Sequence, residues 1–360
     1  YDDTSYRNPD ATDLADLVLT DNVETFNLRH GYRAQTHLGS MMMYHSIIEA
    51  ARSRIDNELK AYIQELIKAT QSGTPKVFIL GSVFGGTGAS GYPLLERKIR
   101  KTVDSQTVSD VFMGAVTVLP YYGLTDPKKN KSKIDSANFM TKAKAALTYY
   151  ERTVKSDLLY YVGETTLQAF HENNEKTQPD EANFTELVAA TALFDFLQRS
   201  KPQQRQYLTR AIENDVASLD LASAGSGYAS LVKCIADYSI LNTLLKVLPN
   251  EKYFPLRQSR GFDASFYKGS LSKVISFSES FEKWYSELSA KKRAFAPIAD
   301  INPSNMVNII KNSVELEAKD DSYYLLEMIK NSNKGMTNNK VRNFLEYAYE
   351  AINTFTQKIK

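Results

Sequence analysis

Between Thr36 and Ile67 apolar residues recur every three or four positions (Ile48, Ala51, Ile55, Leu59, Tyr62, Ile63, Leu66), the spacing of a helix with one buried face. QSGTP ends that pattern. KVFILGS follows, with four apolar residues in a row, a run that predicts a strand covered on both faces. The glycines Gly85, Gly86, Gly88 and Gly91 come next, then the amphipathic run PLLERKIRKTV, with Pro93 near the start of the predicted helix. DVFMGAVTVLPYY predicts a second strand and the lysine-rich GLTDPKKNKSKIDS a connection. A helix over 137–150, a strand over 157–162 and a helix over 165–175 complete the alternation. Strands alternating with helices imply a parallel sheet with helices on both faces. NFTELVAATALFDFLQ, residues 183–198, is apolar almost all round, which predicts a buried helix running between two domains. Beyond Pro202 the β-type runs fade. Helical spacing dominates instead, as in Phe277, Phe281, Trp284, Leu288 and in Phe344, Ala348, Ala351, Phe355, with loops expected at 224–227, 255–264 and 331–339.

The expected organisation is an α/β domain over 1–181, a connecting helix over 182–199 and a mostly helical domain over 200–360. A chain of 360 residues has the length for two domains, each with its own core. Its 44 basic and 42 acidic side chains give a net charge of +2, which makes no electrostatic case for a nucleic-acid partner. No apolar run is long enough to span a bilayer. The lone Cys234 cannot form an internal disulfide and fits a cytoplasmic setting. Its apolar run, LVKCIA, reads as core. The four histidines are scattered and build no metal-ligand cluster. The chain opens on Tyr1, and the expectation is that further N-terminal sequence precedes it.

The segment richest in chemistry is VFILGSVFGGTGASGYPLLERK. Phosphate oxygens need several backbone N–H groups aimed at one place, and glycine lets the backbone approach and turn that closely. The positive end of the helix that follows adds attraction for an anion. Thr87 and Ser90 offer hydroxyl donors. The competing reading is a tight turn that packs strand on helix without a ligand. A P-loop is disfavoured, because Gly81 and Gly86 have its spacing but Thr87 stands where its lysine belongs. A dinucleotide-binding oxidoreductase is suggested by TGASG, residues 87–91. No tyrosine is followed four residues later by the lysine that short-chain dehydrogenases pair with it.

FGGTGAS, residues 84–90, resembles the GGGTG-Ser/Ala-Gly signature of the tubulin/FtsZ superfamily, whose fourth loop holds nucleotide phosphates. Upstream, GYRAQTHLGS (31–40) is similar to that family's third phosphate loop, with Ala34, Leu38 and Gly39 in frame and Thr36 or His37 in place of its proline or acid. Downstream, VFMGAVTVLPYY keeps the proline of the next strand as Pro120, and DLLYYVGETT places Glu164 at a sugar-contacting acidic position. The apolar helix falls where the family has its central helix, so Asn183, Phe184 and Glu186 become candidates for base contact. The resemblance covers about residues 25–200. It implies a tubulin/FtsZ-like, Rossmann-type fold of bacterial type with GTP or GDP as ligand and Mg²⁺ as its companion. The phosphates would sit on the backbone of Gly85, Gly86, Thr87, Gly88, Ala89, Ser90 and Gly91, with Ala34 to Gly39 closing over the terminal phosphate.

Departures qualify what carries over. Phe84 replaces a small residue, and Ser90 replaces the final glycine, with Gly91 one place later. The family's first glycine loop is absent. Asn214, Asp215 and Asp220 lie in the region of its catalytic loop at the wrong spacing, so no catalytic residue is assigned. Two functions of different class follow: a self-assembling GTPase, or a nucleotide-gated switch that presents its helical domain to a partner protein. The basic run Lys128, Lys129, Lys131, Lys133 is a lid over phosphates in one reading and a solvated loop in the other.

Overall fold

The computed structural model describes residues 31–32, 34–49, 54–104, 110–124, 136–164, 168–170, 182–212, 225–248, 261–290, 295–298, 322–332 and 335–357. The chain divides into two compact units, residues 1–180 with 185–214, and residues 181–184 with 215–360. Lys128 to Lys133, Asn214, Asp215, Asp220, His30 and His171 lie outside the described residues.

The first unit is α/β. Its described elements run α1 (Thr36–Tyr44), a π-helical turn (His45–Glu49), α2 (Arg54–Ala69), β1 (Lys76–Ser82), α3 (Gly86–Asp104), β2 (Phe112–Val118), β3 (Tyr122–Leu124), α4 (Phe139–Thr153), β4 (Leu158–Glu164), β5 (Gln168–Phe170), α5 (Phe184–Gln198) and β6 (Gln206–Ile212). Four strands form a parallel sheet in the order β1-β2-β4-β6, with Val77 opposite Met113, Ala115 opposite Leu159 and Tyr160 opposite Leu208. β3 and β5 pair separately and in parallel. Side chains alternate across a strand, so the two faces can be read from the partners of odd and even residues. Val77 and Met113 pack with Ile63 and Leu66 of α2 and Ile99 and Val103 of α3. Ala115 and Leu159 pack with Tyr92 of α3 and Ala143 and Tyr150 of α4. On the other face Phe196 of α5 meets Phe78 and Phe112, with ring centroids 5.0 and 4.4 Å apart. Gly114 makes room there, since a Cβ would stand 2.5 Å from the Phe196 ring. Helices on both faces of a parallel sheet are as expected.

Several expectations need correction. β1, at the edge of the described sheet, is not covered on both faces, as the 58% exposure of Leu80 shows. Residues 168–170 form a strand, not part of a helix. Gln206–Ile212, read as the start of a helical region, is the fourth strand of the sheet. α5 is not buried all round: Phe196, Val188 and Ala192 are buried while Phe194 and Leu197 are exposed. The long first helix is interrupted by the π-helical turn at His45.

The largest correction concerns α3, which begins at Gly86 and runs through the whole glycine segment, leaving Pro93 inside the helix. Proline has no N–H for the carbonyl four residues back, here Ala89. The Tyr150 hydroxyl, donated from α4 at 2.9 Å, takes that carbonyl instead. Burial pushes the Tyr150 phenol well above its ordinary value, so it stays a donor.

The second unit is helical among the described residues: α6 (Gly225–Val247), a π-helical turn (Phe266–Ser270), α7 (Ser272–Ser289), α8 (Ser322–Asn331) and α9 (Lys340–Thr356). The expected loop at 224–227 is corrected, since α6 starts at Gly225. Its core is aromatic, with Phe262, Phe266, Tyr267, Phe344 and Tyr347 in mutual ring contact. Ahead of α9 the buried Asn343 amide closes a loop, accepting from Thr337 N at 2.9 Å and donating to Thr337 O at 2.8 Å.

Candidate functional site

The glycine segment sits at the carboxyl edge of the parallel sheet, where β1 delivers the chain into α3. Val83 continues the ladder for one more bond, N to Val118 O at 3.0 Å, before the chain turns. Phe84, expected to be small, is explained by packing. It is buried against Phe139, Tyr122 and Tyr121, at centroid distances of 4.9, 5.5 and 6.0 Å.

The turn ends under a second helix start. Gly31 and Ala34 both adopt left-handed conformations, φ 64° and 59°, which brings the chain across Gly86 and into α1 at Thr36. A Cβ on Gly86 would lie 2.5 Å from Tyr32 Cβ, and one on Gly39 would lie 2.6 Å from Ser90 Oγ and 2.8 Å from Gly86 O. The two helices are tied by side chains. Ser90 Oγ donates to Thr36 O at 2.8 Å and lies 2.6 Å from Gly86 O, and Thr36 Oγ1 donates to Gly85 O at 3.4 Å. A Cβ on Gly88 would meet Ser82 N at 2.8 Å, and one on Gly91 would meet Met43 Cε at 2.8 Å. The absence of side chains at Gly39, Gly86, Gly88 and Gly91 is therefore accounted for by helix-on-helix and helix-on-strand packing.

The expected phosphate contacts divide accordingly. Gly85, Gly86, Thr87 and Gly88 form the loop end and first turn of α3, and Thr87 is exposed. Ala89, Ser90 and Gly91 are buried a turn deeper. The Ser90 hydroxyl, expected as a phosphate donor, lies between two carbonyl acceptors, Thr36 O at 2.8 Å and Gly86 O at 2.6 Å. Ala34 is buried at the entrance to α1, and its carbonyl accepts Lys142 Nζ at 2.7 Å.

The backbone chemistry of this place is cationic. The first N–H groups of a helix have no partner within it and carry the positive end of its dipole. α1 and α3 both begin here, and Gln35, at the N-cap of α1, makes no side-chain cap. Lys142, from α4, adds an ammonium beside Ala34. Partial burial, and then the nearby Lys142 charge, hold His37 below its ordinary value, so its ring is neutral at pH 7. Sequence reasoning missed Lys142, Tyr32 and Tyr150. A lysine on an amphipathic helix carries no signal of what its ammonium will reach.

The remaining candidates separate. Glu164 ends β4 on the same edge, two strands from β1, roughly 10 Å away at ordinary strand spacing. It accepts the Thr185 hydroxyl at 2.7 Å, while Glu186 accepts the Tyr121 hydroxyl at 2.5 Å. Both bonds pin the first turn of α5 to the sheet edge. Asn183 falls in the second unit, buried next to Phe184, whose ring stacks on Phe295 at 4.4 Å.

No protein-family model, curated protein or solved structure matches this chain.

Among the described residues no group of three His, Cys, Asp or Glu stands together as a metal site, and no helix is long and apolar enough to cross a membrane. Cys234, expected in the core, is exposed on α6.

Proposed function

We propose that the first unit binds a nucleotide through its phosphates, in the manner of a divergent tubulin/FtsZ-like protein, with GTP as the expected ligand. The observation that carries this reading is the convergence of two helix starts, α1 at Thr36 and α3 at Gly86, on one point of the carboxyl sheet edge. Ligands of open parallel sheets bind at that edge, and helix starts hold anions with backbone N–H groups. Gly85 to Gly88 would supply donors from one side and Thr36 to Leu38 from the other, with the Thr87 hydroxyl exposed between solvent and ligand. Lys142 would add charge, and a bound Mg²⁺ would belong to the phosphates and their water shell. The preference for guanine rests on the family resemblance alone.

Two modes of action remain distinct in this proposal. In a switch, phosphate contacts hold the 31–39 segment against α3 and release it when the terminal phosphate is absent. In a self-assembling GTPase, the water-positioning acid comes from another copy. Titration of the purified chain with GTP, ATP and NAD tests the binding reading, and turnover measured against protein concentration separates the two modes. Specific activity rising with concentration selects the assembling enzyme; tight GTP binding without turnover at any concentration selects the switch. Absence of binding by all three ligands would leave the glycine segment as packing alone.

A further inference from the structure

The second unit holds a groove of about 520 Å³ between α6, α7 and α9. Its walls are apolar: Leu241 and Cys234 from α6, Val274 and Phe277 from α7, Ala348 and Tyr349 from α9. Tyr238, Phe277 and Tyr349, at its mouth, are 42, 55 and 63% exposed, an unusual concentration of uncovered aromatic surface. The floor is polar and unfinished. Ser278 is only 6% exposed, and its hydroxyl has no partner among the described residues. Asp237 spends one carboxylate oxygen on Lys233 at 2.7 Å, while the other, Oδ1, is buried and has no partner there either. Beside Ser278, Asn242 donates its amide to the Ser278 carbonyl at 3.3 Å and leaves its own oxygen unpaired. Buried acceptors left without a donor are costly, and the cost is recovered by whatever brings an N–H or O–H to them.

We propose that this groove is a binding site for a small, largely aromatic molecule carrying an N–H or O–H donor, an arylamine or a phenol in chemical class. The volume lies within the range of small-molecule pockets, as does the pattern of apolar walls around a few polar groups. A docking helix fits these observations less well. Its backbone donors are already used along its length, so it would cover the walls and leave Asp237 and Ser278 unpaired. A compact ring system with one donor fills the space, and a change of rotamer at Ser278 would turn its buried hydroxyl toward that donor.

The probe is N-phenyl-1-naphthylamine, an aromatic amine with one N–H whose fluorescence rises in apolar surroundings, and its carbon counterpart is 1-benzylnaphthalene. The full chain is expected to bind one equivalent of the amine saturably, at least tenfold more tightly than the carbon counterpart. Cys234 is the chain's single cysteine and lines the groove. Saturating amine is therefore expected to slow its alkylation by iodoacetamide at least tenfold. Ser278→Ala should lower affinity for the amine several-fold and leave the carbon counterpart unaffected. Val274→Trp should fill the groove and abolish binding of both. If that variant does not fold, Ser278→Ala and the alkylation rate still decide. Non-saturating fluorescence, equal affinity for the two probes, or alkylation of Cys234 indifferent to the amine would overturn the proposal.

Discussion

The start of α3 and the groove of α6, α7 and α9 are built on opposite principles. In the first unit two helices and a strand approach so closely that Gly39, Gly86 and Gly88 have no room for a methyl group. What such packing leaves at the surface is backbone: helix N–H groups with their partial charge. In the second unit bulky rings stand between the helices, side chains do all the lining of the groove, and nothing lies within 4 Å of a Cβ built on Gly269 or Gly335. Close packing by small residues leaves backbone at the surface, while wide packing by large residues leaves an apolar hollow.

The sharpest way to break this contrast is one methyl group placed in each region. Gly88→Ala would put a Cβ 2.8 Å from the Ser82 nitrogen, a backbone atom that has no rotamer to escape into. The expected loss is about 2–3 kcal/mol, the usual cost of overpacking, read as a lower denaturation midpoint. Gly269→Ala should instead be neutral or stabilise by up to about 1 kcal/mol, since it restricts only the unfolded chain. Equal effects at the two sites would remove the distinction. Next in size is Tyr150→Phe, which leaves the Ala89 carbonyl without the donor that Pro93 cannot provide. A loss of about 1–2 kcal/mol in urea unfolding is expected, the cost of one buried unpaired carbonyl.

How much of this was legible in the sequence differs between the regions for the same physical reason. The DVFMGAVTV run declares its strand, because a strand buried in a parallel sheet has no polar face to confuse the pattern, and VFIL declares its own by the same apolar run although Leu80 ends up exposed. QYLTRAI does not, because β6, at the edge of the described sheet, carries Gln206, Tyr207 and Thr209 on exposed positions and mimics an amphipathic turn of helix. The start of α3 was misplaced by seven residues, since intrinsic propensity excludes TGASG from a helix and only tertiary contact with Tyr32, Ser82 and Met43 favours it there. The place of the candidate site was legible from its glycines. The packing of Gly86 and Gly88 against Tyr32 and Ser82 was not, nor was the reach of Lys142 to Ala34, because contacts made only in the folded chain leave no local signal. Cys234 failed similarly: α6 is apolar almost all round, and no pattern within it tells a covered face from an open one.

A smaller effect probes the helical unit through pH. Hydrogen bonds from the Ser265 hydroxyl and the Phe266 N–H hold the Asp263 carboxyl below its ordinary value. A depressed acid contributes stability that is present above its unfolded pKa and lost as pH falls through its folded one. Asp263→Asn should therefore lower stability modestly at pH 7, with the difference shrinking as pH falls into the acid range, measured by thermal unfolding from pH 7 downward.

We propose above all that the joined starts of α1 and α3 form an anion site rather than a packing joint alone. Thr87→Glu tests it most directly, because a carboxylate in the first turn of a helix favours the fold while repelling a phosphate. GTP affinity measured calorimetrically beside the melting temperature should fall at least tenfold in Thr87→Glu, with the melting temperature unchanged or raised, and remain near wild type in Thr87→Ser. Equal GTP affinity in wild type and Thr87→Glu, or a folded wild-type chain that binds no nucleotide, would contradict it.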